Sequence, residues 1–192
     1  FNDKTGGLIR EARVLEKLDA TATPAFDQSG SKPYPQKSTL FCYEPAALAE
    51  AIQLASLNSG EHQWQVAHGR GALAFENALH TLPSHVERPS HQFIQPLSQT
   101  KFDELLNSSD LNFVRGEDSL VRALWAGKAF VWQIYPQDDG AHGPKLNAFL
   151  DWLDAPESLR RFHLGWNGLS QEPLPEVDLP AWQACAMAAQ AR

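Results

Sequence analysis

The sequence has little cysteine. Cys42 and Cys185 are the two cysteines among 192 residues, and they are far apart in the chain. A metal site built on closely spaced cysteine pairs is therefore excluded. Cys42 lies in an apolar run and Cys185 in a helix-like stretch. We expect two buried or half-buried thiols in a reducing compartment, without a disulfide.

Long hydrophobic runs are also missing. No segment approaches the roughly 18 consecutive apolar residues that a membrane-spanning helix needs. The first residues do not show a basic stretch followed by an apolar core, which is the pattern of a secretory signal. We therefore expect a soluble, cytoplasmic protein that has no membrane partner.

Basic residues are outnumbered by acidic ones. The chain has 16 Lys and Arg against 23 Asp and Glu, and its net charge is −7. This balance argues against a nucleic-acid partner, because binding along a phosphate backbone needs a basic surface. It leaves room for a single phosphate pocket made by a helix N-terminus and one arginine. An acidic surface also suits a basic protein partner, but it is common in soluble proteins of every kind.

The composition is sufficient for one compact domain, since 43% of the residues are hydrophobic. Residues 1–36 differ from the rest: they contain the Gly6-Gly7 pair, a short helix-like pattern over 8–20, and three prolines after residue 20. Such a composition is typical of an interdomain segment and linker. We expect the compact domain to cover residues 37–192.

Strand-like and helix-like segments alternate through this domain. Short, mostly apolar strands that alternate with helices predict parallel pairing, with helices on both faces of the sheet. The predicted fold is α/β, a Rossmann-like three-layer sandwich with a mostly parallel sheet. Predicted strands cover residues 38–43, 64–68, 91–95, 111–114 and 129–135, and predicted helices cover 46–57, 72–79, 98–106, 117–126, 145–153 and 180–191.

One junction carries most of the chemical information. In residues 110–119 (DLNFVRGEDS), an apolar strand runs into Arg115 and Gly116, and a helix then begins. Ligands of open α/β sheets bind beyond the carboxyl ends of the strands. There, a guanidinium, free helix N–H groups and the Ser119 hydroxyl would all be donors for a phosphate or diphosphate. The same residues are also typical of an ordinary helix start, where the carboxylates of Glu117 and Asp118 interact favourably with the helix dipole. Aimed at an anion, those acids would repel it.

This junction also resembles the signature of a known family. Residues 112–119 (NFVRGEDS), 125–128 (WAGK) and 130–137 (FVWQIYPQ) are similar to the EarP family, whose members attach rhamnose to an arginine of the bacterial translation factor EF-P. Two further stretches agree in the expected order. Residues 6–11 (GGLIRE) resemble the passage between the two domains of the family, and 40–44 (LFCYE) resemble the first strand of its second domain.

The resemblance implies a two-domain glycosyltransferase of the GT-B type, of which this chain would be the C-terminal, donor-binding half. The implied donor is dTDP-β-L-rhamnose, and the implied acceptor is one arginine of EF-P, which receives the sugar on a guanidinium nitrogen with inversion. The family uses no metal or other cofactor. From the residues alone, a non-catalytic nucleotide-binding module and a protein-interaction module of similar fold remain open.

The resemblance also implies roles for eight residues. The positions that hold the donor diphosphate are matched by Arg115, Ser119 and Tyr135, with Glu117 and Asp118 beside them. Glu117 also matches a carboxylate that activity requires, which makes it the catalytic candidate. Positions around the nucleotide or sugar are matched by Phe41, Tyr43 and Gln99. Purely structural roles stay open. Tyr135 would then end a strand with its ring in the core. Phe41 and Tyr43 share one face if their strand is regular, and one or both would then be core residues.

Two departures from the family pattern stand out. The motif of the family's first domain, whose aspartates act on the acceptor, is absent from a sequence that begins at Phe1. We therefore expect the catalytic base to lie outside this sequence, in an N-terminal domain that partners this one, and the chain alone to be inactive. In addition, Pro96 stands where the family tends to have Phe before Leu97 and Gln99. Stacking on the thymine is then expected from elsewhere, with Phe93 as a candidate.

Metal-ligand spacing is not evident among the histidines. His68, His91 and His142 are scattered, so we expect surface or hydrogen-bonded residues and no metal site. Lys145 could approach an anion, but we expect it to be an ordinary surface residue.

Overall fold

The computed structural model describes residues 34–58, 62–137 and 140–192. Contacts between Cα atoms divide the chain into Phe1–Lys32 and Pro33–Arg192, and the description below concerns the second unit. The predicted short helix over residues 8–20 and most of the predicted linker lie outside the described residues. The predicted domain boundary at residue 37 therefore stays a prediction.

A sheet of five parallel strands forms the centre of the unit. Its strand order is β3-β2-β1-β4-β5, which is the order of the doubly wound dinucleotide-binding fold without its sixth strand. The predicted Rossmann-like α/β architecture is confirmed. The strands are β1 (Lys37–Leu40), β2 (Gln63–Ala67), β3 (Ser90–Ile94), β4 (Leu111–Arg115) and β5 (Ala129–Gln133).

Seven helices are described, and several begin or end where the sequence predicts. The Ser98 hydroxyl accepts a hydrogen bond from the Lys101 N–H, which confirms it as an N-cap. Gly127 ends its helix with a φ of 61°, as a left-handed C-cap. The helices are α1 (Leu48–Asn58), α2 (Arg70–Thr81), α3 (Gln99–Ser108), α4 (Gly116–Ala126), α5 (His142–Leu153), α6 (Glu157–Trp166) and α7 (Leu179–Gln190).

Strands β1 and β5 end two or three residues earlier than predicted. After Phe41, whose N–H still bonds the Phe113 carbonyl, the chain leaves the ladder, and the N–H of Tyr43 bonds the side chain of Gln133 instead. Aromatic residues that looked like strand residues therefore lie beyond the carboxyl ends of the strands. In an open α/β sheet, this is the edge where ligands bind.

Helix α6 was not predicted, although the sequence carries its signal. Leu159, Phe162, His163 and Trp166 are all buried, and they follow the i, i+3, i+4, i+7 spacing of a helix that packs on a core. Arginine and histidine within the segment obscure the apolar pattern.

The same helix covers the exposed edge of β5. The Nε2 atom of His163 accepts a hydrogen bond of 3.0 Å from the Trp132 N–H. The Asn167 side chain donates to the Trp132 carbonyl and accepts from the Ile134 N–H, each at 2.9 Å. These side chains satisfy main-chain groups that a sixth strand would otherwise bond. Burial lowers the pKa of His163 to about 4, so the ring is neutral and can accept this bond.

Aromatic rings fill much of the core on the α6 side. The largest fully buried side chains include Trp64, Phe113, Phe162, Trp166 and Trp182. Cys42 is buried, Cys185 is half-buried and both are free, as predicted. Across the part of the chain that the structure describes, no helix is long and apolar enough to cross a membrane.

Candidate functional site

A cleft of about 890 Å³ lies at the carboxyl ends of the strands. Its walls come from the segments that follow all five strands and from the first turns of α3 and α4. The structure brings all eight predicted site residues together along this cleft: Phe41, Tyr43, Gln99, Arg115, Glu117, Asp118, Ser119 and Tyr135.

Arg115 lies at the centre of this arrangement, as the last residue of β4. Its guanidinium carbon is 4.4 Å from the centre of the Phe41 ring and 4.7 Å from that of Tyr43. Its Nη1 donates a 3.1 Å hydrogen bond to the Cys42 carbonyl. Phe41 and Tyr43 therefore contact the same guanidinium although the strand ends at Leu40, and they hold this cation by its attraction to their ring faces. The guanidinium is fixed where α4 begins.

The turn into α4 needs glycine. Gly116 has a φ of 65°, in the left-handed region, and a Cβ at this position would lie 3.4 Å from the Tyr43 hydroxyl. The Trp132 indole donates a 2.8 Å hydrogen bond to the Gly116 carbonyl. Behind this turn, the first N–H groups of α4 have no partners within the helix, so they are available to an anion in the cleft.

Ser119 is buried and its hydroxyl is engaged by the main chain of Arg115. The Oγ accepts a 3.0 Å hydrogen bond from the Arg115 N–H and donates to the Arg115 carbonyl. This side chain closes the turn onto the strand. A direct contact between its hydroxyl and a diphosphate stays a prediction.

Glu117 and Asp118 lie in the exposed first turn of α4. The Glu117 carboxylate accepts a 2.5 Å hydrogen bond from the ammonium of Lys145, which belongs to α5. Lys145, predicted as an ordinary surface residue, is about half exposed and also lines the cleft. The two residues are 28 positions apart in the chain, so no local sequence pattern indicated the pair.

Tyr135 extends into the cleft. Its residue is 62% exposed, and its ring meets that of Tyr43 edge to face at 5.7 Å. The alternative in which Tyr135 packs into the core is therefore wrong. Phe41 and Tyr43 are half-buried and line the cleft, so neither is simply a core residue.

The side of the cleft near α3 differs from the prediction in one residue. Phe93 does not line the cleft, because it lies on β3 with its ring packed against His91 and the core. Exposed Gln99 and half-buried Phe102 face the cleft instead. Phe102 meets Phe41 edge to face at 5.5 Å. It contributes to the apolar surface of this side together with Ile94, Pro96, Leu97 and Leu105.

A second arginine borders Tyr43 and was missed by the sequence reasoning. Arg70, the first residue of α2, has its guanidinium 5.1 Å from the Tyr43 ring centre. It forms a two-pronged ion pair with Glu44, and this hydrogen bonding lowers the pKa of the Glu44 carboxyl. The ring of Tyr43 is thus flanked by guanidinium groups on α2 and at the end of β4.

The three histidines are exposed or hydrogen-bonded, as predicted, and one of them, His68, also borders the cleft. His68 and His91 are exposed, and His142 accepts a hydrogen bond from the Gln137 N–H. Within residues 34–58, 62–137 and 140–192, no three His, Cys, Asp or Glu side chains are grouped so that they could hold a metal ion.

Comparison with known proteins identifies the family of the chain. The family model described as Elongation-Factor P (EF-P) rhamnosyltransferase EarP matches residues 1–192. The chain belongs to the EarP family. The family resemblance carried by residues 112–119 is thereby confirmed.

Curated protein-arginine rhamnosyltransferases are similar to most of this chain. A protein-arginine rhamnosyltransferase of Pseudomonas putida is 38% identical over 164 residues, which cover 78% of this chain and 44% of the relative. One of Pseudomonas aeruginosa is 34% identical over 208 residues, which cover 95% and 55%. The chain thus spans about half the length of these curated relatives.

A solved structure from work on EarP-mediated arginine glycosylation of translation elongation factor EF-P has a similar fold. Its TM-score is 0.73 and its sequence is 29% identical, and the match covers all of this chain and 68% of that one. The fold described above is therefore shared with a member of the EarP family.

Proposed function

We propose that this chain binds dTDP-β-L-rhamnose as the donor domain of a protein-arginine rhamnosyltransferase of the GT-B type. The observation that carries the proposal is the position of the Arg115 guanidinium, which is held by two aromatic rings at the N-terminus of α4. A fixed cation and free helix N–H groups at one point form an anion site. The family of the chain supports a nucleotide sugar as the anion.

The diphosphate of the donor is proposed to lie against Arg115 and the first turn of α4. The guanidinium can pair with two phosphate oxygens at once, and the Tyr135 hydroxyl is a further donor at the cleft mouth. We place the thymine and the sugar in the part of the cleft that is lined by Phe41, Tyr43, Phe102 and Gln99. Pro96 and Phe102 supply apolar surface where Phe93 does not reach.

The proposed reaction joins a guanidinium nitrogen of an EF-P arginine to the anomeric carbon of rhamnose, with inversion. The bond from that carbon to the diphosphate oxygen breaks, and its electron pair leaves with dTDP. Fixed positive charge at Arg115 and α4 stabilises the charge that develops on this oxygen. We propose that this charge serves in place of a metal ion, so that the reaction needs none.

The proton that leaves the acceptor nitrogen needs a base. We propose that this base lies outside the 192 residues, in the part of the relatives that the chain does not match. Glu117, at the cleft mouth, is proposed to hold the acceptor guanidinium or a sugar hydroxyl. Because the acceptor is a translation factor, we place the protein in the cytoplasm.

Calorimetry with dTDP tests the donor site directly. We expect this chain to bind dTDP, and an absence of binding heat would overturn the donor-domain proposal in favour of a protein-interaction module.

Mass spectrometry of EF-P with dTDP-rhamnose tests the reaction. We expect no added rhamnose from this chain alone, and one added rhamnose, in buffer with EDTA, from an enzyme of the relatives' full length. Binding without transfer by that longer enzyme would indicate a non-catalytic nucleotide-binding module.

A further inference from the structure

Among the described residues, three Lys or Arg side chains line the cleft, and they are not held equally firmly. Arg115 is fixed between two aromatic rings. The Nη1 atom of Arg122 is 2.8 Å from each carboxylate oxygen of Asp103, and these side chains are only 14% and 23% exposed. Lys145 pairs instead with Glu117, and those side chains are 54% and 74% exposed.

The Lys145–Glu117 pair is easily exchanged. An ion pair between two well-solvated side chains contributes little stability. Lysine carries its charge on a flexible four-carbon stem, so its ammonium can move without a movement of α5. A diphosphate at the N-terminus of α4 offers more negative charge than one carboxylate, and it would lie within the same cleft that Lys145 lines.

We propose that Lys145 is a ligand of the donor diphosphate, and that its ammonium moves from Glu117 to the diphosphate when the donor binds. This inference rests on the proposed function of the cleft. The move leaves the Glu117 carboxylate open at the cleft mouth, where it can accept charge-assisted hydrogen bonds from the acceptor guanidinium. Lys145 thus couples the two substrates: a bound donor makes the acceptor's carboxylate available.

A double-mutant cycle on dTDP binding tests this assignment. Calorimetry would compare the chain with Lys145→Met, Glu117→Gln and the double variant, since methionine keeps an unbranched stem and removes the charge. We expect Lys145→Met to weaken dTDP binding by about 10- to 150-fold, the usual loss for a hydrogen bond to a charged group. In the Glu117→Gln background the weakening should be at least as large, because no ion pair has to be broken first.

Lys101→Met is the matched control. Lys101 is an exposed lysine of α3 that is paired with Glu104 at 2.7 Å and is not part of the cleft lining. Its loss changes the net charge equally and should leave the dTDP affinity unchanged. Thermal unfolding of each variant establishes that it is folded.

Two outcomes overturn the assignment. If the effect of Lys145→Met disappears in the Glu117→Gln background, Lys145 acts only by neutralising that carboxylate. If Lys145→Met binds dTDP like the unaltered chain, Lys145 does not contact the diphosphate. A chain that fails to bind dTDP before any substitution gives a different result, since it overturns the proposed function of the cleft itself.

Discussion

The indole nitrogen of Trp132 donates a 2.8 Å hydrogen bond to the carbonyl oxygen of Gly116. This bond ties the turn that begins α4 to the neighbouring strand β5. The main chain of Trp132 is in turn held by His163 and Asn167. The shape of the proposed diphosphate site therefore depends on contacts that His163 of α6 and the following Asn167 make along the edge of β5.

Trp132→Phe removes the indole donor and keeps an aromatic ring. We expect dTDP binding to weaken by about three- to tenfold, because the Gly116 turn loses one partly buried hydrogen bond and becomes less well ordered. Calorimetry measures the effect. Phe149→Leu is the control, since Phe149 packs on the Trp132 ring at 5.0 Å without lining the cleft. The Phe149→Leu substitution should lower the melting temperature and leave the affinity for dTDP unchanged. Equal losses of affinity in both variants would show a general packing effect.

Arg115→Ala removes the cation at the start of α4. We expect the dTDP affinity to fall by about 1.5–3 kcal/mol, the range for a hydrogen bond to a charged group. Arg115→Lys should recover part of the loss, since it keeps the charge but not the two-pronged geometry. Arg160→Ala is the control, because Arg160 is paired with Asp151 and neither residue lines the cleft. Unchanged affinity in Arg115→Ala would move the diphosphate to another part of the cleft.

Features encoded by adjacent residues could be predicted from the sequence. The strand that ends at Arg115, the turn at Gly116 and the helix after it follow one another in the chain, so their order and their position at one edge of the sheet follow from the α/β pattern. Helix α6 carried a readable spacing as well, but its polar residues masked it. The end of β5 could not be placed, because its main chain is bonded by the side chain of Asn167, which follows the distant helix α6.

Features that depend on distant partners escaped prediction. The Lys145–Glu117 pair joins two helices, and the Glu44–Arg70 pair joins the segment after β1 to the start of α2, beside Tyr43. The hydroxyl of Ser119 is a further case. Its sequence position suits a phosphate donor, yet a side-chain hydroxyl four residues after Arg115 can bond back to that residue's main chain, and here it does.

The neutral ring of His163 predicts a dependence of stability on pH. Burial, and to a smaller extent the charge of Arg160, lower the pKa of His163 from 6.5 to about 4, against a weaker opposing effect of its bond to the Leu159 carbonyl. For a base whose pKa is lowered by folding, the unfolded state binds the extra proton first. The stability is therefore complete above about pH 6.5 and is lost as the pH falls from 6.5 towards 4, by about 1.4 kcal/mol per pH unit.

His163→Gln isolates this effect, because an amide can both accept from Trp132 and donate to Leu159 but does not titrate. Urea unfolding at pH 7 and pH 5 gives the free energy of unfolding of each protein. Between these pH values the unaltered chain should lose about 2 kcal/mol more than the variant. Other titrating groups, among them buried His62, are common to both proteins and cancel in the comparison. If both proteins lost the same free energy of unfolding between pH 7 and pH 5, His163 would have to be protonated in the folded state at pH 5.

Glu117→Gln separates a role in binding from a role in transfer. A carboxylate beside a diphosphate repels it, so we expect the variant to bind dTDP as well as, or slightly more tightly than, the unaltered protein. In an enzyme of the relatives' full length, the rate of EF-P rhamnosylation should nevertheless fall by a factor on the order of a hundred or more, as when a positioned charge is lost from a transition state. Calorimetry gives the dissociation constant for dTDP, and timed mass spectrometry of EF-P gives the rate of rhamnosylation.

Glu157→Gln is the control for this substitution, because Glu157 is also a first-turn acid of its helix, α6, and it lies outside the cleft. Both variants lose the same favourable interaction of a carboxylate with a helix N-terminus, so they should lose similar small amounts of stability. Only Glu117→Gln should slow transfer. If it transferred rhamnose at a normal rate, Glu117 would be an ordinary first-turn residue like Glu157. If it instead lost most of its dTDP affinity, the Lys145–Glu117 pair would be a structural support of the pocket rather than a contact that the substrates exchange.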